Sequence, residues 1–278
     1  MPQEIARAST SVSIVDTHAH LDMDSFNEDR GQVIARALES GVSTIITVGI
    51  NLDSSRKAIK LAESHREILA TTAGFHPHEA GRVTEEDMAE LSIIARHSRV
   101  VAIGEIGLDF YRNHATREEQ IKVLKRQLEI ATELDLPVII HCRQAERDML
   151  PLLRNWASSD RKHQGQTRGV IHCFNSDGDT ARHYLDMGFF ISLGGYISYP
   201  SARQMFNTIR GIPEDRLVVE TDCPFLPPQS HRGQRNEPAY VLATVKTLAD
   251  IREVTAERVA RETTQNAHRL FRIHQAEQ

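Results

Sequence analysis

From Val12 to Phe271 the sequence repeats one unit, a short apolar, β-branched run followed by a longer stretch of helical periodicity. The unit occurs eight times. The runs are VSIVDTH (Val12–His18), VSTIITVG (Val42–Gly49), ILATTAG (Ile68–Gly74), VVAIGEIG (Val100–Gly107), PVIIHC (Pro137–Cys142), GVIHCF (Gly169–Phe174), FFISLGG (Phe189–Gly195) and LVVETD (Leu217–Asp222). Helices are expected near Glu28–Ser40, Ser54–His65, Glu85–His97, Arg117–Leu134, Glu146–Trp156, Thr180–Met187 and Ser201–Ile209, with two more near Pro238–Ile251 and Ala256–Phe271. Strands this uniformly apolar are parallel strands covered by helices. Eight βα units predict an α/β fold, a TIM (β/α)8 barrel, as a single domain over residues 12–278. The length of 278 residues suits a barrel, which takes about 250. Neither GxGxxG nor GxxxxGK[ST] follows the first run, which argues against an open nucleotide-binding sheet. Residues 1–11 read as a short polar extension, and Ser158–Arg168 as an exposed loop.

Composition narrows the function classes. Lys and Arg total 33 against 38 Asp and Glu, a net charge of −5. That balance argues against binding nucleic acid through a broad basic surface. It leaves room for a nucleic-acid enzyme whose divalent metals supply local positive charge. No run of about 18 apolar residues exists, so no membrane span or membrane partner is expected. The N-terminus lacks the apolar core of a secretory signal. Three cysteines, Cys142, Cys173 and Cys223, are no disulfide framework and suit a reducing, cytoplasmic setting. A monomer is the default expectation.

In such a barrel the chemistry collects where strands end. The first run ends in Asp16-Thr17-His18-Ala19-His20, the third leads to His76 and the fourth carries Glu105. The fifth ends in His141, the sixth in His172 and the eighth in Asp222. His18 and His20 share a face if they alternate on a strand. Taken singly, each of these histidines could be a hydrogen-bonded core residue. Their shared position on one rim points to metal. Four imidazoles and two carboxylates are too many for one tetrahedral ion. They suit two divalent ions per chain, with Glu105 placed to bridge. Imidazole and carboxylate donors fit Zn, Mn, Co or Ni, and Mg where affinity is weak. The three cysteines each follow a proposed ligand and are expected to face the helix layer. Glu220 and Asp16 are expected behind the ligands as supporting carboxylates. His65, His97, His114, His163, His183, His231, His268 and His274 are read as surface residues, with His78 left open.

The motifs DTHAHLD (Asp16–Asp22), GFHPH (Gly74–His78), GEIGLDFYR (Gly104–Arg112), PVIIHCR (Pro137–Arg143), HCF (His172–Phe174), ETDCPFLPP (Glu220–Pro228) and RNEP (Arg235–Pro238) occur in this order. Together they resemble the TatD family of metal-dependent deoxyribonucleases, over about Val12 to Phe271. The resemblance implies that His18 and His20 bind a first metal, completed by Asp222. It implies that His141 and His172 bind a second metal, and that Glu105 bridges the two. By the same resemblance Asp222 takes the proton of the nucleophilic water, and His76 lies near the substrate phosphate. Arg235 is the candidate phosphate contact in the RNEP segment, with Tyr111 and Arg112 as further substrate-binding candidates. The chain departs from the family pattern at Cys142-Arg143-Gln144-Ala145, where Ser-Arg-Asp-Ala is common, and at ETDCPFL, where ETDSPYL is common. No metal ligand is lost.

The expected reaction is phosphodiester hydrolysis, a 3′–5′ exonuclease acting on single-stranded or frayed DNA ends with Mg, Mn or Zn. Asp222 and Glu105 are the catalytic carboxylates of this reading, and DNA is the partner. Two other readings share the sequence: a small-molecule amidohydrolase or esterase on the same barrel, and a non-catalytic scaffold. Relatives with a carboxylated lysine on the fourth strand would favour the first; here that position is Glu105.

Overall fold

The computed structural model describes residues 13–66, 68–159 and 167–273. The polar extension, most of the expected loop at Ser158–Arg168, and His163 and His274 lie outside them. Eight strands follow one another in chain order: β1 Ile14–Ala19, β2 Val42–Thr47, β3 Leu69–Ala73, β4 Val100–Asp109, β5 Val138–Arg143, β6 Gly169–Ile171, β7 Phe189–Leu193 and β8 Leu217–Val219. Each pairs in parallel with the next. A parallel bridge between Ala19 and Cys223 joins the ends of the sheet. There Asp222 N donates to His18 O at 2.8 Å, and His20 N donates to Cys223 O at 2.8 Å. This is the expected TIM barrel.

The helices are α1 Arg30–Glu39, α2 Leu52–Ser64, α3 Glu85–Ile94, α4 Arg117–Leu134, α5 Glu146–Ser159, α6 Gly178–Asp186, α7 Phe206–Gly211, α8 Val241–Arg252 and α9 Ala256–Phe271. Polar caps set their starts. Asn51 and Asp177 accept from the backbone of Ser54 and Thr180, and Thr84 and Thr116 close capping boxes with Asp87 and Glu119. Each satisfies backbone N–H groups that the helix itself leaves free. The expected helix at Ser201–Ile209 begins later, because Pro200–Met205 forms a 3-10 turn ahead of α7. The sixth and eighth strands are also shorter than expected. Beyond Ile171 and Val219 the chain leaves the ladder, and Cys173 (φ 47°) and Asp222 (φ 58°) adopt left-handed backbone.

Two apolar layers hold the barrel. Inside it, each strand contributes one buried side chain: Val15, Ile46, Ala70, Ala102, Ile139, Val170, Phe190 and Val218. Ala267, Leu270 and Phe271 of α9 join this set. The opposite strand faces pack outward against the helices, with Ile14, Ile45, Leu69, Ile103, Ile140, Ile171, Ile191 and Leu217 among them. At the seam, Thr264 Oγ1 donates to Ser13 O and Asn266 Nδ2 to Leu217 O, tying α9 to both end strands. Among the described residues no helix is long and apolar enough to cross a membrane.

Candidate metal centre

The interior layer has a consequence for the ligands. On β4, Ile103 and Ile106 both pack outward, although strict alternation would put them on opposite faces. A register shift between them adds the missing residue, so Gly104 and Glu105 fall inside it. Bulges of this kind re-aim side chains beside functional sites. On β1 the pairing shifts between Asp16 and Ala19. Thr17 Oγ1 lies 3.4 Å from Ser192 Oγ on β7, yet the next residue, His18, also reaches the interior, where its ring stacks on His172 at 3.6 Å between centroids. His20 lies just beyond β1 rather than on it. Gly107 makes room next door. Its φ is +154°, and a Cβ there would stand 1.9 Å from His141 O, so only glycine lets β4 approach β5 this closely.

The side chains meet above the layer. Oε2 of Glu105 lies 3.4 Å from His18 Nε2 and 3.9 Å from His20 Nε2. Asp222 Oδ1 lies 3.4 Å from His20 Nε2 and 3.8 Å from His18 Nε2. The two imidazole nitrogens face each other at 3.2 Å. On the other oxygen of Glu105, Oε1, stand His141 Nδ1 at 2.7 Å and Nε2 of His172 and His76, each at 3.7 Å. Each oxygen of Glu105 thus faces its own nitrogen donors, and His172 Nε2 also lies 3.8 Å from Asp222 Oδ1, between the two sets. All the residues named by the sequence as metal ligands come together here.

Further groups hold the imidazoles in place. His141 Nε2 lies 3.3 Å from Asp109 Oδ2, which also meets His78 Nε2 at 3.0 Å. His172 Nδ1 lies 3.0 Å from Glu220 Oε2. Glu220 is itself fixed by Ser192 Oγ at 2.6 Å and by the backbone N–H of Cys173 at 2.7 Å. His20 Nδ1 lies 3.2 Å from Val48 O. Carboxylates and carbonyls behind histidine ligands fix the ring and its tautomer. Asp109 escaped the sequence reading. Its signal was the alternation Glu105, Gly107, Asp109, which places all three on the inner face once Glu105 is there. Asp16 supports the seam instead: it accepts from Thr221 N at 2.9 Å and Thr221 Oγ1 at 2.6 Å, and burial pushes its carboxyl up to about 7.

The electrostatics fit cations. Burial opposes charge on Glu105, but the histidines around it outweigh that and hold its carboxyl well below the ordinary range. Asp222 is lowered in the same way, burial being outweighed by its hydrogen bond to His20 and by nearby imidazoles. Burial also opposes charge on His141 and His172. Asp109 and Glu105 nevertheless raise His141 to about 9, and Glu220 and Glu105 raise His172 to about 10. Protons on imidazoles thus balance the buried carboxylates. The Nε2 atoms of His18 and His20 each lie within 4 Å of both Glu105 Oε2 and Asp222 Oδ1, and with Glu105 only 3% exposed this is a donor set that divalent ions satisfy. The residues present fit metal.

The remaining candidates are dispersed. His76 reaches Glu105 and sits within ligand range of His141. Tyr111 and Arg112 are exposed on the loop after β4, and their backbone N–H groups both donate to Asp109 Oδ1 at 2.9 Å. Arg143, unmarked by the sequence reading, stacks over Tyr111 at 4.0 Å. Among the described residues neither Arg112 nor Arg143 pairs with a carboxylate. Arg235 is engaged elsewhere: Nη1 and Nη2 donate to Asp29 Oδ1 and Oδ2 at 2.8 and 2.6 Å, and the guanidinium covers Phe26. Cys142 faces the helix layer as expected, accepting from Tyr184 OH at 3.6 Å. Cys173 does not. Having left the strand, it sits within 4.8 Å of ligand atoms of His172 and Asp222. A cleft of about 650 Å³ lies between the loops after β1 and β3 and the starts of α2 and α3, lined by Asp22, Asp24, Asp53, Glu79, Asp87 and Glu90 against Arg56, Lys57 and Arg82.

Comparison with known proteins follows the same outline. The family described as TatD related DNase matches residues 15–272. The chain is 38% identical over 261 residues to the uncharacterized metal-dependent hydrolase YabD of Bacillus subtilis, covering 94% of this chain and all of that one. It is 36% identical over 263 residues to the 3′–5′ ssDNA/RNA exonuclease TatD of Erwinia tasmaniensis, covering 93% and 99%. The crystal structure of YjjV, a TatD homologue from Escherichia coli K12, superposes with a TM-score of 0.86 at 29% identity, covering 94% and 98%. A matching barrel, a matching sequence along its whole length and a donor set suited to metal lead to one statement: this chain belongs to the TatD family of metal-dependent hydrolases.

Proposed function

We propose that the protein is a 3′–5′ exonuclease on single-stranded nucleic acid, DNA ends foremost, working with two divalent ions. The observation that carries this is Glu105, with one oxygen facing His18 and His20 and the other facing His141, His172 and His76. In this reading His18, His20 and Asp222 would hold one ion and His141 and His172 the other, with Glu105 available to both. When bound, such a pair supplies Lewis-acid stabilisation of phosphate charge and lowers the pKa of water. Asp222, kept ionised by its histidines, accepts the proton of the attacking water and returns it to the leaving oxygen as the P–O bond breaks. His76, held neutral because burial drives its pKa down to about 3, contributes a neutral imidazole beside the phosphate.

The rim charge supports a direction of approach. The cleft after β1–β3 carries six carboxylates against three basic side chains and repels a polyanion. The loop after β4 and the end of β5 present Arg112 and Arg143 around the exposed Tyr111. The strand enters on that side, with these arginines on its phosphates. The relative named as a 3′–5′ ssDNA/RNA exonuclease supports the same substrate class.

The test is an assay on 5′-labelled single-stranded DNA, with purified protein reconstituted with Mg, Mn or Zn. The expected result is a ladder shortening from the 3′ end, lost in Glu105→Ala and Asp222→Ala. Absence of cleavage with every metal, alongside Glu105-dependent hydrolysis of small esters or amides, would move the activity to a small-molecule hydrolase.

A further inference from the structure

Six large apolar side chains are exposed among the described residues. Leu38, Ile93 and Leu242 lie on the outer helices α1, α3 and α8, where scattered exposure is ordinary. Tyr111, Phe225 and Leu226 lie instead on rim loops. Phe225 is 48% exposed and only three residues past Asp222. Its ring centroid lies 6.0 Å from that of His20, at 70° between planes.

The loop that carries this ring is fastened. Phe225 N donates to Asp222 O at 2.9 Å. Asn236, wholly buried, donates through Nδ2 to Phe225 O at 2.6 Å and to Thr221 O at 2.7 Å. Its backbone N–H reaches Pro224 O at 3.2 Å, and its Oδ1 accepts from Glu237 N at 3.0 Å. One buried side chain thus holds the backbone on both sides of the ring. An aromatic fixed at its base and half-exposed, beside a histidine of the site, is preorganised for a flat partner.

We infer that Phe225 is a stacking platform for a nucleobase flanking the scissile phosphate. The inference rests on the nuclease reading and deepens it. Stacking on a ring with no hydrogen-bonding group holds any base, so the platform adds grip without sequence preference. It also anchors the strand on the first-metal side, opposite in the barrel order to the arginines after β4 and at the end of β5.

The test pairs a change in the protein with a change in the substrate. One single strand carries normal 3′ nucleotides; a second, of equal length, carries abasic residues at its last two positions. On the normal strand, Phe225→Ala and Phe225→Leu should raise KM about tenfold, with kcat within about twofold and melting temperature unchanged. Phe225→Tyr should behave as wild type. On the abasic strand, wild type and both ring-less variants should share one raised KM. An unchanged KM on the normal strand, or an equal loss on both strands, would overturn the inference while leaving the nuclease reading intact. Wild-type protein that cleaves neither strand would overturn both.

Discussion

Asp109 Oδ2 lies 3.3 Å from His141 Nε2, on the side of the ring opposite the 2.7 Å contact between His141 Nδ1 and Glu105. The ring is held from both ends, and its Nδ1 faces the space beside Glu105. Removing the charge from Asp109 should loosen that aim. Asp109→Asn is expected to weaken binding at the second ion by about 10–100-fold, with the fold retained and activity restored by excess metal. Titration with Mn2+ followed by activity checks it; unaltered affinity would show that Asp109 only pins the Tyr111 loop.

The same contacts set a pH dependence. His141 and His172 are raised to about 9 and about 10 by their carboxylates, so in the metal-free protein both carry protons at pH 7. A ligand imidazole must be neutral, so metal displaces them. Affinity should therefore rise as pH rises from 7 towards 9–10, and fall as pH falls. Calorimetry in buffers of different ionisation enthalpy should show at least two protons released per chain at pH 7, because the carboxylate of Asp222 outweighs burial and raises the ligand His20 as well. A buffer-independent heat would contradict the charge assignment.

Much of this site is legible in the sequence, for reasons that can be named. Eight βα repeats carry the barrel, and a barrel places strand-end histidines on one rim. The direction of Glu105 is not legible. Simple alternation from Ile103, which packs outward, would send Glu105 outward as well, and only the register shift before Ile106 turns it in. Bulges leave little trace in composition. Cys173 misleads for the related reason that β6 ends at Ile171, so strand parity no longer applies. Arg235 lies in a motif beside the rim, but a carboxylate far away in sequence, Asp29, claims its guanidinium.

Gly107 gives a stability test of the shared β4–β5 contact. A methyl group there meets His141 O at 1.9 Å in a backbone conformation that L side chains rarely adopt. Gly107→Ala should cost about 1–3 kcal/mol, read by urea denaturation, and should disturb metal binding through His141. A variant as stable as wild type, with full affinity, would mean the strands separate freely.

The arginines on the rim predict a salt signature. Arg112→Ala and Arg143→Ala should each raise KM for single-stranded DNA and flatten the dependence of log KM on log salt by about 0.7. Arg235→Ala should leave that slope unchanged, because its guanidinium is held by Asp29. A flattened slope only in the Arg235 variant would reverse the proposed path of the strand.

Glu105 is proposed to lie between two ions, and anomalous diffraction from crystals of the Mn-loaded protein would locate them. Two peaks per chain are expected, one beside His18, His20 and Asp222, the other beside His141 and His172, each contacted by a different oxygen of Glu105. A single peak, or two peaks with Glu105 bound to neither or only one, would contradict it.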